Sequence, residues 1–286
     1  MQNIIVKLKT LFIILRLLLV LYLLLLIVVY TGQTSIVFQP KHLPDDFEFE
    51  FNADFKEGYI ETADKIPLNY LHFKTKEEKK GLVLYFHGNS VNLRFWGNAH
   101  RDFTKRAYDV FMIDYRGYGK SEGKVSETKT YEDARMVYDH LMRQYSPEET
   151  IIYGRSLGTG IASHLATQVP AKHLILETPY KNMPSLFKDQ VMLLWLPFDL
   201  KYQFSNDKNI PKVPYPVTII HGTEDLVVPY RNSIRLQELL KSEDEFITIE
   251  GGAHKNLSGY GLFQETLDRI LLPVEEAIDT TNVENY

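Results

Sequence analysis

The stretch that most constrains this chain is Ile151-Ile-Tyr-Gly-Arg-Ser-Leu-Gly-Thr-Gly160. An apolar run from Thr150 to Tyr153 ends in Gly154-Arg155-Ser156-Leu157-Gly158, and a helix-compatible segment continues to Gln168. Strand, tight turn and helix around Gly-x-Ser-x-Gly is the pattern of a nucleophile elbow. Ser156 falls at the turn tip. The flanking glycines lack the Cβ atoms that would collide as the chain reverses. The amides just after Ser156 open a helix, where they can stabilise developing negative charge. Glycine and serine are common, so the motif is informative only because the strand and the helix surround it.

The same alternation runs through the chain. Tyr59 to Phe73 alternates apolar and polar residues around Ala63-Asp64-Lys65, a hairpin signal. Leu82 to Phe86, Asp109 to Ile113, His173 to Glu177, Val217 to Ile220 and Glu245 to Ile249 read as further strands. The most continuous apolar runs among them suit strands covered on both faces. Val91–Ala107, Ser126–Tyr145, Pro229–Lys241 and Gly259–Leu272 read as helices, and residues 181–212 as irregular. Strands alternating with helices imply an α/β fold with a mostly parallel sheet flanked by helices.

Ahead of this region lies Leu11 to Tyr30, a predominantly apolar stretch of 20 residues with one charge, Arg16. About 20 such residues span a bilayer core as a helix. The alternatives are a cleaved signal peptide, for which Val28-Val-Tyr-Thr-Gly32 is a poor cleavage site, and a buried helix. Lys7, Lys9 and Arg16 precede the centre of the span, and Thr31 to Pro40 carries no basic residue. The positive-inside rule then puts the N-terminus in the cytoplasm and the folded domain on the non-cytoplasmic side. The expected organisation is a short cytoplasmic N-terminus (1–10), a transmembrane anchor (11–30), a linker and edge segment (31–55), an α/β domain (56–275) with a minimal cap-like insertion (178–215), and a tail (276–286).

In a parallel α/β sheet, functional groups gather at the carboxyl ends of the strands. Ser156 needs a base within hydrogen-bond reach, and histidine suits that task near neutral pH. His254, on a loop after Gly251-Gly252 and the last strand, is the favoured base among nine histidines. His87 and His221 precede glycines in tight turns and read as structural, and His164 lies inside a helix. Asp225 is the favoured acid. Glu177, also at a strand end, is the alternative, whereas Asp114 belongs to a glycine-rich turn. Ser156, Asp225 and His254 follow the order Ser…Asp/Glu…His of this kind of sheet. The oxyanion donors are expected to be the backbone amides of Leu157 and Asn89, the latter in His87-Gly-Asn-Ser90.

With these motifs in place, the sequence resembles the α/β-hydrolase superfamily. Within it, the chain is similar to the Bem46/YfhR-like branch, close to the ABHD13 and ABHD17 types and often labelled serine aminopeptidase S33-like. The resemblance is carried by His87-Gly-Asn-Ser, Asp114-Tyr-Arg-Gly-Tyr-Gly-Lys-Ser-Glu-Gly123, Gly154-Arg-Ser-Leu-Gly158, Glu177-Thr-Pro-Tyr180, His221-Gly-Thr-Glu-Asp225-Leu-Val-Val-Pro229 and Gly251-Gly-Ala-His254. These span roughly Phe38 to Leu272. The resemblance implies an ester, thioester or amide hydrolase with Ser156 as nucleophile, Asp225 as acid and His254 as base. Two departures stand out. Ser90-Val91 replaces the more usual Ala-Gly/Glu and is expected to narrow the space above Ser156. Thr178-Pro replaces Ser-Pro, with little effect expected. No residue specifies recognition of a peptide N-terminus, so peptidase activity is the less favoured reading.

Between Thr178 and Pro216 an apolar patch includes Phe187, Val191, Leu194, Trp195 and Phe198. Trp195, Phe187 and Tyr180 are the candidate pocket residues. They read either as packing on the sheet or as an acyl-chain or membrane-facing rim. The favoured function is a membrane-anchored serine hydrolase acting on a small-molecule or lipid-like acyl ester. The alternatives are an acyl-protein thioesterase and a non-catalytic tethered binding protein. The chain has no cysteine, which removes thiol catalysis, disulfides and Cys-ligated zinc. No metal-ligand spacing and no dinucleotide fingerprint occurs, so no metal or cofactor is implied. With net charge -5 and no basic run, nothing points to nucleic acid.

Overall fold

The computed structural model describes residues 2–191 and 195–272. Leu194, one of the patch residues, and the expected tail 276–286 lie outside the described residues. The order begins with helix α1 (Gln2–Val37), β1 (Gln39–Pro40), β2 (Phe55–Glu61), β3 (Pro67–Phe73), β4 (Gly81–Phe86), β5 (Ser90–Val91) and β6 (Tyr108–Ile113). It continues with helix α2 (Glu127–Leu141), β7 (Thr150–Arg155), helix α3 (Leu157–Ala166), β8 (His173–Glu177), helix α4 (Met183–Gln190), β9 (Val217–Gly222), β10 (Glu245–Ile249) and helix α5 (Gly261–Leu271).

Eight strands form one sheet in the order β10-β9-β8-β7-β4-β6-β3-β2. Only β3 runs antiparallel to its neighbours. From β4 the chain moves to β6 on one side, then returns to β7 on the other. The strand order therefore reverses at the β4/β7 pair, and a crevice opens beyond their carboxyl ends. Both faces of the sheet are packed. Leu84, Ile152 and Leu176 belong to one apolar cluster, and Val83, Tyr85 and Tyr153 belong to the other. The period-two alternation explains the split, since neighbouring side chains on a strand point to opposite faces.

Three elements depart from the sequence expectation. The expected helix over 91–107 is broken into short turns at Leu93–Trp96, Gly97–His100 and Arg101–Thr104. Phe51 packs where a Cβ at Gly97 would stand, and His100 stacks on Phe73 at 4.4 Å, so tertiary contacts fix these turns. The expected helix over 229–241 is a short helix, Tyr230–Ser233, followed by a 3-10 turn, Ile234–Leu239. The segment expected to be irregular contains α4, started by Pro184 in its first turn and capped by the Asn182 side chain on the Ser185 amide.

Helix α1 extends seven residues beyond the 11–30 span at its C-terminal end, into the expected linker. Thr31, Gly32 and Thr34 are poor helix formers. Their turns are held by docking instead. The Gln33 side chain accepts from the Lys201 amide, Thr34 Oγ1 bonds the Tyr202 hydroxyl at 2.7 Å, and Phe38 packs edge-on against Tyr202. Before these turns the helix leaves its leucines exposed, apart from the buried Leu26.

Candidate active site

Ser156 has φ +52°, ψ −118° at the turn between β7 and α3. That strained conformation is stable because the turn is over-determined by its surroundings. A Cβ at Gly154 would stand 2.5 Å from the Gly158 carbonyl oxygen, and one at Gly158 would stand 2.1 Å from that of Phe86. Only glycine lets α3 approach the strands this closely.

The hydroxyl of Ser156 lies 3.1 Å from His254 Nε2, and His254 Nδ1 lies 2.7 Å from Asp225 Oδ2. A carboxylate only accepts, so Nδ1 carries the proton and Nε2 is free to accept from Ser156. Asp225 Oδ1 accepts from the amides of Val227 and Val228, both at 2.8 Å. These two bonds fix the carboxylate so that Oδ2 faces the imidazole. All three side chains are buried. His221 sits 3.5 Å from Asp225, but burial lowers its pKa to about 4, and its Nε2 is engaged by the Val228 carbonyl. It stays neutral and structural; His87 is likewise packed in the fold, stacked on Tyr115 at 4.1 Å.

Glu177, the alternative acid, is committed elsewhere. Its carboxylate accepts from Tyr153 and pairs with Arg155 at 3.2 Å. Burial raises the Glu177 pKa, and the Arg155 charge opposes that shift. Arg155 also donates to the His254 carbonyl at 3.1 Å and lies over the Trp96 ring. The variable residue of the serine motif thus ties the elbow to the histidine loop, a link no local pattern announces. Asp114 accepts from the Leu93 amide and faces His87, which places it in the β4 loop support rather than beside Ser156.

A cleft of about 250 Å³ opens over Ser156 and is lined by Asn89, Leu157, Tyr180 and Phe187 among others. All four were candidates from sequence. Trp195 is the exception. It does not line the cleft; it is 71% exposed and its carbonyl accepts from the Tyr22 hydroxyl of α1. Its partner is a residue 173 positions away, so tertiary docking decides its place. The sequence reading missed the cleft wall formed by α1 itself, through Val29, Gln33, Ile36 and Val37.

Val91 also differs from expectation. It does not line the cleft but takes φ +69°, the left-handed region that disfavours a β-branched residue. Its pairing with Pro40 in the β1–β5 ladder holds it there. Thr178, at the end of β8, has φ +50°. Strained backbone thus occurs at the ends of the neighbouring strands β7 and β8, at Ser156 and Thr178, and in the β5 segment at Val91.

The sequence model of the family described as serine aminopeptidase, S33 matches residues 77–199. The alpha/beta hydrolase domain-containing protein 17B of Xenopus laevis is 34% identical over 196 residues, covering 67% of this chain and 66% of that protein. The human 17B protein is 33% identical over the same length and shares. The lysophosphatidylserine lipase ABHD12 of Danio rerio is 31% identical over 189 residues, covering 58% of this chain and 49% of that protein. The chain belongs to the α/β-hydrolase superfamily. The match spans just under two thirds of the length of the 17B hydrolases. Among solved α/β hydrolases, the fold is similar to an esterase of Pyrococcus furiosus, with TM-score 0.65, 15% identity and coverage of 82% of this chain and 97% of that one. It is also similar to ferulic-acid-bound Est1E of Butyrivibrio proteoclasticus, with TM-score 0.62, 22% identity and coverage of 78% and 99%.

Proposed function

We propose that this α/β hydrolase is a membrane-anchored serine hydrolase that cleaves carboxylic ester, thioester or amide bonds through an acyl-enzyme. The observation that carries the reading is the Ser156–His254–Asp225 relay at 3.1 and 2.7 Å, set on a strained turn. Ser156 Oγ attacks the carbonyl carbon while its proton passes to His254 Nε2. Asp225 holds the imidazole's orientation and stabilises its charged form. The amides of Asn89 and Leu157 receive the oxyanion. Collapse breaks the bond to the leaving group, which takes the proton from His254. Water then gives a proton to His254 as its oxygen attacks the acyl carbon, and the acid departs as Ser156 recovers its hydrogen.

Esterase- and lipase-type relatives support an ester as the bond cleaved. Helix α1 acts as the anchor, with the hydrolase domain on the non-cytoplasmic side. Labelling native membranes with a fluorophosphonate probe tests the chemistry. Wild type should label, and Ser156→Ala and His254→Ala should not. A folded wild-type protein that stays unlabelled would instead favour a tethered binding protein.

A further inference from the structure

The anchor is more than a tether in this fold, because one wall of the cleft over Ser156 belongs to it. Leu26, Val29 and Gln33 are the buried residues of α1, and Val29, Ile36 and Val37 line the cleft opposite Met183, Leu186 and Phe187 of α4. The floor between the two walls is Ser156. An apolar slot thus runs from the serine along the last turns of a helix whose preceding turns are leucine-rich and exposed.

Beyond α4, Trp195 and Phe198 lie along the same helix. The Phe198 ring packs edge-on against Tyr30 at 5.2 Å, and the Trp195 carbonyl accepts from Tyr22. Tyr30 is eight helical steps from Tyr22, a descent of about 12 Å. With 11–30 filling a hydrocarbon core of about 30 Å, Tyr30 stands at its boundary and Tyr22 well inside. A backbone carbonyl at that depth needs a donor, and the Tyr22 hydroxyl supplies one. Trp195 is 71% exposed there, and Leu226 and Val227 beside the cleft are 92% and 45% exposed. Such side chains are costly in water and favourable in lipid.

We propose that the cleft opens to the bilayer, and that its ligand is the long acyl chain of an ester dissolved there, entering sideways between α1 and α4 with Trp195 inserted as a support for the mouth. This rests on the serine hydrolase reading. The volume of about 250 Å³ is small for a ligand pocket, which suits one narrow chain better than a bulky acyl group. The slot's width is then set by the anchor, which becomes a specificity element.

The test uses the full chain in phosphatidylcholine vesicles, with 4-nitrophenyl palmitate and 4-nitrophenyl acetate as substrates. Ile36→Trp should lower kcat/KM for palmitate about tenfold more than for acetate. Val29→Ala, which only removes atoms, should shift the ratio toward the longer chain. Trp195→Ser should raise KM for palmitate more than for acetate. Leu21→Trp, on the lipid-facing surface of the same helix, should leave the ratio as in wild type. A protein that labels with fluorophosphonate and cleaves acetate, yet shows one palmitate-to-acetate ratio across wild type, Ile36→Trp and Val29→Ala, overturns the bilayer-facing slot and leaves the hydrolase reading standing. Failure of wild type to label or to cleave either ester overturns both.

Discussion

At the scale of the residue, the buried pair Arg155–Glu177 decides how firmly the histidine is presented. Each charge is tolerable only because the other is present, and removing one partner of a buried pair typically costs about 3–5 kcal/mol. Arg155→Met leaves Glu177 uncompensated and also removes the donor to the His254 carbonyl. We expect it to destabilise the fold by about 3 kcal/mol or more. The double variant Arg155→Met/Glu177→Gln keeps an acceptor for Tyr153 while removing the orphaned charge, and should recover much of the loss. Denaturant midpoints of the full chain in detergent would check this. A double variant no more stable than Arg155→Met would mean that the tether to the histidine loop, rather than the charge balance, carries the effect. The side chain was in plain view inside the serine motif, but its partners lie on β8 and the last loop. Spacing along the chain gives no access to such a pair.

At the scale of the element, α1 combines a span-like apolar stretch with a docked C-terminal end. Its apolar turns meet the composition required of a bilayer span, and its last turns are bonded to the 200–204 segment. Beyond the helix, the Gln39 amide donates to the Asn89 carbonyl, so α1 leads straight into the loop that frames Ser156. The orientation we propose, with the N-terminus in the cytoplasm, rests on the basic residues Lys7, Lys9 and Arg16 and the positive-inside rule. Because the chain has no cysteine, single cysteines report topology cleanly. A membrane-impermeant maleimide applied to intact cells should label Glu48→Cys and not Ile4→Cys. The opposite pattern would place the hydrolase domain in the cytoplasm. The helical interior of 11–30 was legible because hydropathy is a local property. The turns 31–37 were not, because they are helical only where the domain receives them.

At the scale of the whole molecule, buried histidines make stability fall with acid. His100 lies on the far side of the sheet from the serine cleft, stacked on Phe73, and burial, with help from the Arg101 charge, lowers its pKa to about 4. Between about pH 6.5 and 4 the unfolded chain holds a proton there that the folded chain does not. Its contribution is therefore present in full above that window and is lost as the pH falls through it. His100→Phe keeps a ring for the Phe73 stack and removes the titration. Its melting temperature should drop less than that of wild type from pH 7 to pH 5, a difference of about 1–2 kcal/mol in stability. Parallel slopes for the two proteins would refute the assignment. The sequence by itself determined the α/β alternation, the sheet's mostly parallel character, the serine turn and the residues that meet there, because period, turn chemistry and strand-end position are written locally. The tertiary structure alone decided that Glu177 serves Arg155 rather than His254, that Val91 is strained rather than space-filling, that Trp195 stands outside the cleft, and that α1 supplies one of its walls. Each of those depends on which distant surfaces compete for the same side chain, and that competition is settled only when the chain is packed.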